Sequence, residues 1–193
     1  MSPMSTLTGQ AVTEKAGTVW NMDPAHTLVE FAVRHMMITT VKGRFGVVSG
    51  AIVFDEVNPG ASSVQVEFEA ASIDTRTEQR DQHLRSADFL DAENHPKLSF
   101  RSTRVEGRIE AGTEFDVIGD LTIRGVTREV EVRSRLEGKG IDPWGGKRVR
   151  FSGETRIDRE AFGLTWNQAL ETGGLLVSKE IRISIEAQAV KAG

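Results

Sequence analysis

Apolar and polar residues alternate one for one along stretch after stretch of this chain. Val64, Val66, Phe68 and Ala70 interleave with Ser63, Gln65, Glu67 and Glu69. Phe115, Val117, Gly119, Leu121 and Ile123 repeat the pattern, as do Val130, Val132 and Leu136 against Glu129, Glu131, Arg133, Arg135 and Glu137. Val149, Phe151 and Ile157 alternate with Arg148, Arg150, Glu154 and Arg156. Ile181, Ile183, Ile185 and Ala187 do so with Arg182, Ser184, Glu186 and Gln188. Successive side chains of a strand point to opposite faces, so each run predicts a strand with one dry and one wet face.

Punctuation between the runs supplies the rest. Thr18–Asp23 and Thr27–His35 read as strands broken by the Asp23-Pro24 turn. From Arg44 to Asp55 the chain is apolar on both faces, at Phe45, Val47, Val48, Ile52 and Val53, and Gly43, Gly46 and Gly50 mark bends or bulges. Asn58-Pro59-Gly60 is a turn into Ser63–Ala70. Thr75-Arg76-Thr77-Glu78 has the spacing of a capping box and predicts a helix from about Arg76 to Ala87, closed off by Asn94-His95-Pro96. Strands resume at Leu98–Val105, Glu114–Arg124, Val126–Glu137, Arg148–Ile157 and Ser178–Val190, with Gly125 in a tight hairpin turn. Asp158 to Val177 is a long loop holding Phe162, Trp166 and Gly173-Gly174, of a length that in compact domains goes with function or mobility.

Eight or nine antiparallel strands with one inserted helix predict an all-β fold. The preferred architecture is an up-and-down barrel with the helix against one mouth, and the alternative is a two-sheet sandwich. At 193 residues one domain suffices. Residues 1–16 read as a flexible tail and 17–193 as the barrel domain.

Composition narrows the function. The net charge is −4, and cations are scattered between acids along the strands, so no nucleic-acid partner is expected. The absence of cysteine excludes disulfides and thiolate chemistry. No apolar run approaches a transmembrane length, and the N-terminal residues lack the basic start and apolar core of a secretory signal. The chain is therefore expected to be cytoplasmic.

Candidate chemistry is sparse. On a helical period Arg76, Arg80, His83, Leu84 and Ala87 share the face expected to turn inward. The two arginines either hold the polar end of a ligand or pair with acids of neighbouring loops; both readings stand. His26, His35, His83 and His95 show no HxH, HxxxH or HExxH spacing, so no metal or other cofactor is expected. His35 continues the Val29, Phe31, Val33 face and is expected to point inward at a barrel end. No opposed carboxylates face the interior, and no nucleophile elbow or phosphate-binding loop occurs. An interior of this kind is either a pocket for a lipid or simply filled by its own side chains.

Ordered motifs run the length of the chain. Trp20-x-x-Asp23-Pro24-Ala25-His26-Thr27-x-Val29-x-Phe31-x-Val33-x-His35 is followed by Val41-Lys42-Gly43-x-Phe45 and Ser72-Ile73-Asp74-Thr75. Next come Arg80-Asp81-x-His83-Leu84-x-Ser86-x-Asp88-Phe89, His95-Pro96, Phe100-x-Ser102 and Gly119-Asp120-Leu121-Thr122-Ile123-Arg124-Gly125-Val126-Thr127. Ile157-Asp158-Arg159-x-x-Phe162-Gly163-Leu164 and Val177-Ser178 complete the series. Over residues 18 to 190 the chain resembles the YceI-like family. The resemblance implies a lipocalin-like, eight-stranded antiparallel barrel that binds polyisoprenoid or other long amphiphilic chains, and a homodimer. It places Phe31, Val33, Phe45 and Phe68 in an apolar channel and His35, Arg80, His83 and Leu84 near its mouth. Phe89 of the helix motif and Trp166 of the long loop complete the candidate ligand-binding set. Many relatives of this kind carry a signal peptide, from which this chain departs. The expected function is a non-catalytic protein that binds, sequesters or transports such a lipid. The alternative is an enzyme, a hydrolase or cyclase using His35 or His83 in the same cavity, and a third reading is a filled module without ligand.

Overall fold

Short breaks turn the first three long strands into bent staves. Strand β1 (Thr18–Met22) and strand β2 (Leu28–His35) flank a single turn of 3-10 helix, Pro24–His26. Asp23 opens that turn by accepting from the Ala25 N–H at 3.0 Å, and Pro24 supplies the fixed φ. Strand β3 (Thr39–Phe45) and strand β4 (Val48–Phe54) form the second stave, bent at Gly46, whose N–H donates to the Ser72 carbonyl. Strand β5 (Ser63–Glu69) and the short β6 (Ile73–Asp74) form the third. Helix α1 (Glu78–Arg85) follows, then β7 (Lys97–Glu106), β8 (Glu114–Ile123), β9 (Val126–Ile141), β10 (Lys147–Asp158) and β11 (Val177–Lys191). The computed structural model describes residues 17–46 and 48–193. The expected tail and Val47 lie outside them.

All pairings between these strands are antiparallel, in the order β1-β4-β5-β7-β8-β9-β10-β11, and β11 pairs back onto β1. Eight staves thus close a barrel, as the alternating pattern predicts, and the sandwich is excluded. The N-terminal half of β11 pairs with β2 instead, and β2 with β3 and β6, so the wall divides toward one end. At that end lie the turn after His35, the segment 75–96 with α1, the Arg124-Gly125 turn and the loop from Asp158. Arg124 and Gly125 have φ of 50° and 73°, the conformation a two-residue hairpin turn demands and glycine adopts freely.

Several boundaries differ from the sequence expectation. The second stave begins at Thr39, not Arg44, because β3 pairs with β2 all the way to His35↔Thr39. Strand β9 runs to Ile141 as a ribbon with β10, past the expected end at Glu137. The helix begins at Glu78 with Thr77 as its N-cap residue, and no capping box forms. Thr75 is spent elsewhere: its N–H and hydroxyl both donate to the buried Asp81 carboxylate, at 2.9 and 2.5 Å.

Two clusters pack the barrel. Away from the helix, Trp20, Phe54, Phe115, Leu136, Val149 and Ala189 close the interior, with Phe151 set edge-on to Phe54 and Phe115. Beneath the helix, Val29, Phe45, Val48, Ile73, Leu98 and Leu121 form the other. One close approach fixes the register between β7 and β8. A bulge between Ser102 and Arg104 presses the β7 backbone onto Gly119, where an added Cβ would sit 2.4 Å from the Arg101 carbonyl oxygen.

A polar brace ties the β1–β2 break to the β9–β10 ribbon. Asp142 accepts from the Gly146 N–H at 2.8 Å and from Arg148 Nε at 2.8 Å, which hold its carboxyl below the usual range. Asp23 is likewise lowered, by His26 first and also by Arg148 Nη1, each at 2.8 Å.

Two predictions follow from these contacts. Gly119→Ala should lower stability by about 1–3 kcal/mol in denaturant unfolding, because backbone rather than a flexible side chain must move; an unchanged midpoint would refute the close packing. Depressed carboxylates stabilise above the unfolded value of about 3.9 and lose that contribution as pH falls through their native values. Arg148→Ala should therefore be less stable than the parent at pH 7, with the gap shrinking between about pH 4 and pH 2. A gap that stays constant across that range would show that the brace is not electrostatic.

Candidate ligand-binding cavity

Between the two clusters the barrel is hollow. A cavity of about 260 Å³ follows the interior, and its wall is built from the inward positions of the strands. Ile181, Ile183 and Ile185 of β11 show how. They face inward by the period-two rule, yet remain only half-buried because nothing meets them across the axis. Phe31, Val66, Phe68, Phe100 and Val130 are in the same position. On the same β11 face toward the opposite end, Ala187 and Ala189 are fully buried. The lining is almost entirely hydrocarbon, with Thr27, Ser62, Ser63, Ser134, Ser152 and Thr155 as its hydroxyls. Among the described residues neither a carboxylate nor an imidazole lines it.

One charged residue reaches the lining. Asp158 caps a 3-10 turn (Arg159–Phe162) by accepting from the Glu160 N–H, and Gly163, at φ 79°, ends it. The turn drives Arg159 and Phe162 inward, each 1% exposed. Among the described residues no carboxylate meets the Arg159 guanidinium. Four carbonyls do instead: Nε donates to Ser178 at 2.8 Å, Nη1 to Leu164 at 2.6 Å and Trp166 at 2.9 Å, and Nη2 to Val177 at 3.3 Å. Burial pushes the group below its usual pKa, opposed by Glu160 and Asp158. Arg159 thereby gathers both ends of the long loop at the cavity's edge. The periodicity of the sequence carries no signal for this role, since the loop has none.

The helix forms the roof. Its start is locked by a relay in which Thr75 Oγ1 donates to Asp81 while accepting from Arg80 Nε at 2.7 Å. Arg80 Nη2 also donates to the Thr75 carbonyl and to Thr77 Oγ1. Arg80 therefore serves the helix, with hydroxyl and carbonyl partners instead of the acids one reading foresaw. Arg76 and Ala87 are exposed, which corrects the expected inward face: the helix is shorter than predicted and both residues lie beyond its ends.

Of the ten candidate residues, Phe31, Val33, Phe45, Phe68, Leu84 and Phe89 line the cavity. His83 and Trp166 do not, but they pack on its rim. The imidazole stands edge-on to Trp166 at 4.7 Å and to Phe89 at 5.1 Å, and its Nε2 lies 2.9 Å from Asp88 Oδ2. Trp166 and Phe89 are 5.3 Å apart. His35 is not itself part of the lining, but its cross-strand partner Val177 is. It has the parity of Val29, Phe31 and Val33 and is the last residue of β2, paired between Thr39 and Val177 at the edge of the hollow. Among the described residues no three His, Cys, Asp or Glu side chains converge as a metal site. No helix among them is long and apolar enough to cross a membrane.

A closed up-and-down barrel that keeps an apolar hollow under a helical roof belongs with the small antiparallel barrels that enclose a cavity. The chain belongs to the YceI-like domain family, whose model matches residues 20–189. Protein YceI of Escherichia coli O157:H7 is 42% identical over 139 residues, covering 72% of this chain and 71% of that protein. A UPF0312 protein of Pseudomonas aeruginosa is 37% identical over 161 residues, 83% of this chain and 81% of its own length. Among solved structures, the Campylobacter jejuni YCEI protein superposes with a TM-score of 0.70 at 28% identity, covering 83% of this chain and 90% of that one. A polyisoprenoid binding domain from Saccharophagus degradans shares the fold, with a TM-score of 0.62 at 14% identity over 91% of this chain and 99% of its own.

The Arg159 cluster makes a direct prediction. Arg159→Met removes the guanidinium donor from the Leu164, Trp166 and Ser178 carbonyls, while Val177 keeps Asn167 Nδ2 at 2.7 Å, so stability should fall by about 2–4 kcal/mol. Amide exchange should accelerate across residues 164–178 ahead of the barrel strands. Equal protection in both proteins would show that the loop is held by something else.

Proposed function

We propose that this protein binds a polyisoprenoid or similar long-chain amphiphilic lipid inside its barrel, and sequesters or transports it. The observation that carries this reading is the hollow itself. Phenylalanine and isoleucine side chains face one another across a closed barrel without filling it, and hydrocarbon is the chemistry that such a wall receives. The polyisoprenoid binding domain of the same fold supports it. Family resemblance extends the reading to a homodimer, which sedimentation of the purified protein checks.

Cavity size sets an expectation for chain length. A water-sized group takes up roughly 30 Å³ in a liquid, so about 260 Å³ holds on the order of nine of them. A methylene is of similar bulk and contributes about 0.8 kcal/mol when buried. Affinity for isoprenoid alcohols should climb steeply with length and level off at roughly 10 carbons, where further units remain outside the hollow or must expand it. Affinity independent of length would sink the proposal. Ile183→Trp, which puts an indole into the hollow from the middle of β11, should weaken the longer alcohols most while the barrel still unfolds cooperatively.

A further inference from the structure

Exposed large apolar side chains gather at two places on the barrel. At the end away from the helix, Ile141 and Trp144 crown the β9–β10 ribbon near Val57. At the helix end, Met37 is 60% exposed and Ile38 77%, flanked by Met36 and Leu175. The second group borders the cavity. Met36 N–H donates to the Leu176 carbonyl at 2.7 Å, Gly174 lies against the Met37 side chain, and Val33 and Val177 of the same two strands line the hollow.

The backbone beneath that tip is costly. Met36 and Met37 have φ of 52° and 63°, and Ile38 N–H closes the turn onto the His35 carbonyl at 3.3 Å. Such a turn favours Asn-Gly; side chains with a Cβ are strained in it. Packing does not account for two methionines there, because both are exposed. Strain kept for an exposed side chain points to a partner outside the fold.

Charge identifies the partner. From Phe31 to Phe54 the chain carries Arg34, Lys42 and Arg44 and no acid, within a protein of net charge −4. Arg44 is engaged with Asp74, while Arg34, whose Nη2 donates to the Met37 carbonyl at 2.9 Å, and Lys42 are exposed on the two arms of the hairpin. A second copy of the chain fits this surface poorly. A convex tip falls far short of the roughly 800 Å² per partner of a stable dimer, and a two-fold axis through it would bring like charges together.

We infer that the Met36–Ile38 hairpin inserts its apolar tip into an anionic phospholipid bilayer, with Arg34 and Lys42 on the headgroups, so that the cavity opens at the membrane surface. The inference rests on the lipid-binding reading and supplies its entry route: a tail leaves the bilayer for the hollow without crossing water.

Flotation with phosphatidylcholine vesicles, with and without phosphatidylglycerol, tests it. The parent protein should float with the phosphatidylglycerol vesicles, and Met37→Asp with Ile38→Asp should reduce the bound fraction on the order of tenfold. Arg34→Glu with Lys42→Glu should remove the preference for phosphatidylglycerol. Ile141→Asp with Trp144→Asp at the far end should change nothing. A parent protein that stays in solution with both vesicles overturns the inference, as does a loss caused by the far-end pair instead. A near-end pair that dissolves a dimer without altering flotation overturns it in favour of a second copy. Uptake of detergent-dispersed isoprenoid alcohol, read by native mass spectrometry without vesicles, separates the two proposals. The near-end variant should still load, whereas a parent protein that does not load fails the cavity reading itself.

Discussion

Closure of eight alternating strands obliges every second side chain to share one interior, and the size of those side chains decides whether it is a core or a cavity. Here the far end is closed by Trp20, Phe54, Phe115 and Phe151, the last three forming part of the cavity wall. Between that end and the roof, the inward positions of β9, β10 and β11 are Val130, Gly153, Thr155, Ile181 and Ile183, too short to meet across the axis. Engineered cavities cost about 24 cal/mol per Å³, so about 260 Å³ of hollow corresponds to about 6 kcal/mol, comparable with the net stability of a whole domain. A barrel that carries such a void is stabilised by whatever fills it, and its wall selects for hydrocarbon.

The two ends divide the remaining work. At the roof, polar contacts are local and well satisfied: Asp81, Thr75 and Arg80 fix the start of α1, and Arg159 ties four carbonyls of the long loop. These contacts hold Leu84 and Phe89 over the hollow without placing a charge in its centre. Beside this frame stands a hairpin tip with strained, exposed methionines. The ordered roof and the exposed apolar tip thus lie at the same end of the barrel.

Much of the fold was legible because strand periodicity is a local property. The alternations from Ser63 onward mark the staves, Gly125 marks a hairpin and Asn58-Pro59-Gly60 a turn, each in agreement with the structure. Phe31, Val33, Phe45 and Phe68 reach the cavity for the same reason: parity along a strand predicts the face. Parity alone does not say where the hollow stops, and His35, on the inward face, sits at its edge beside Val177. The capping spacing misled because Thr75 and Thr77 are both plausible caps in sequence, and only the buried Asp81 decides that Thr75 is taken. Arg159 was hidden more deeply. The motif Ile157-Asp158-Arg159-x-x-Phe162-Gly163-Leu164 marks the residue, but a buried guanidinium served by backbone carbonyls leaves no pattern of partners, since every residue has a carbonyl.

The most direct measurement is the mass of the intact protein, purified from its own host and sprayed under native conditions. One long-chain lipid per barrel should add to the polypeptide mass, leave on solvent extraction, and be replaced when an isoprenoid alcohol is supplied. A bare polypeptide that takes up no alcohol would contradict a hollow built for hydrocarbon.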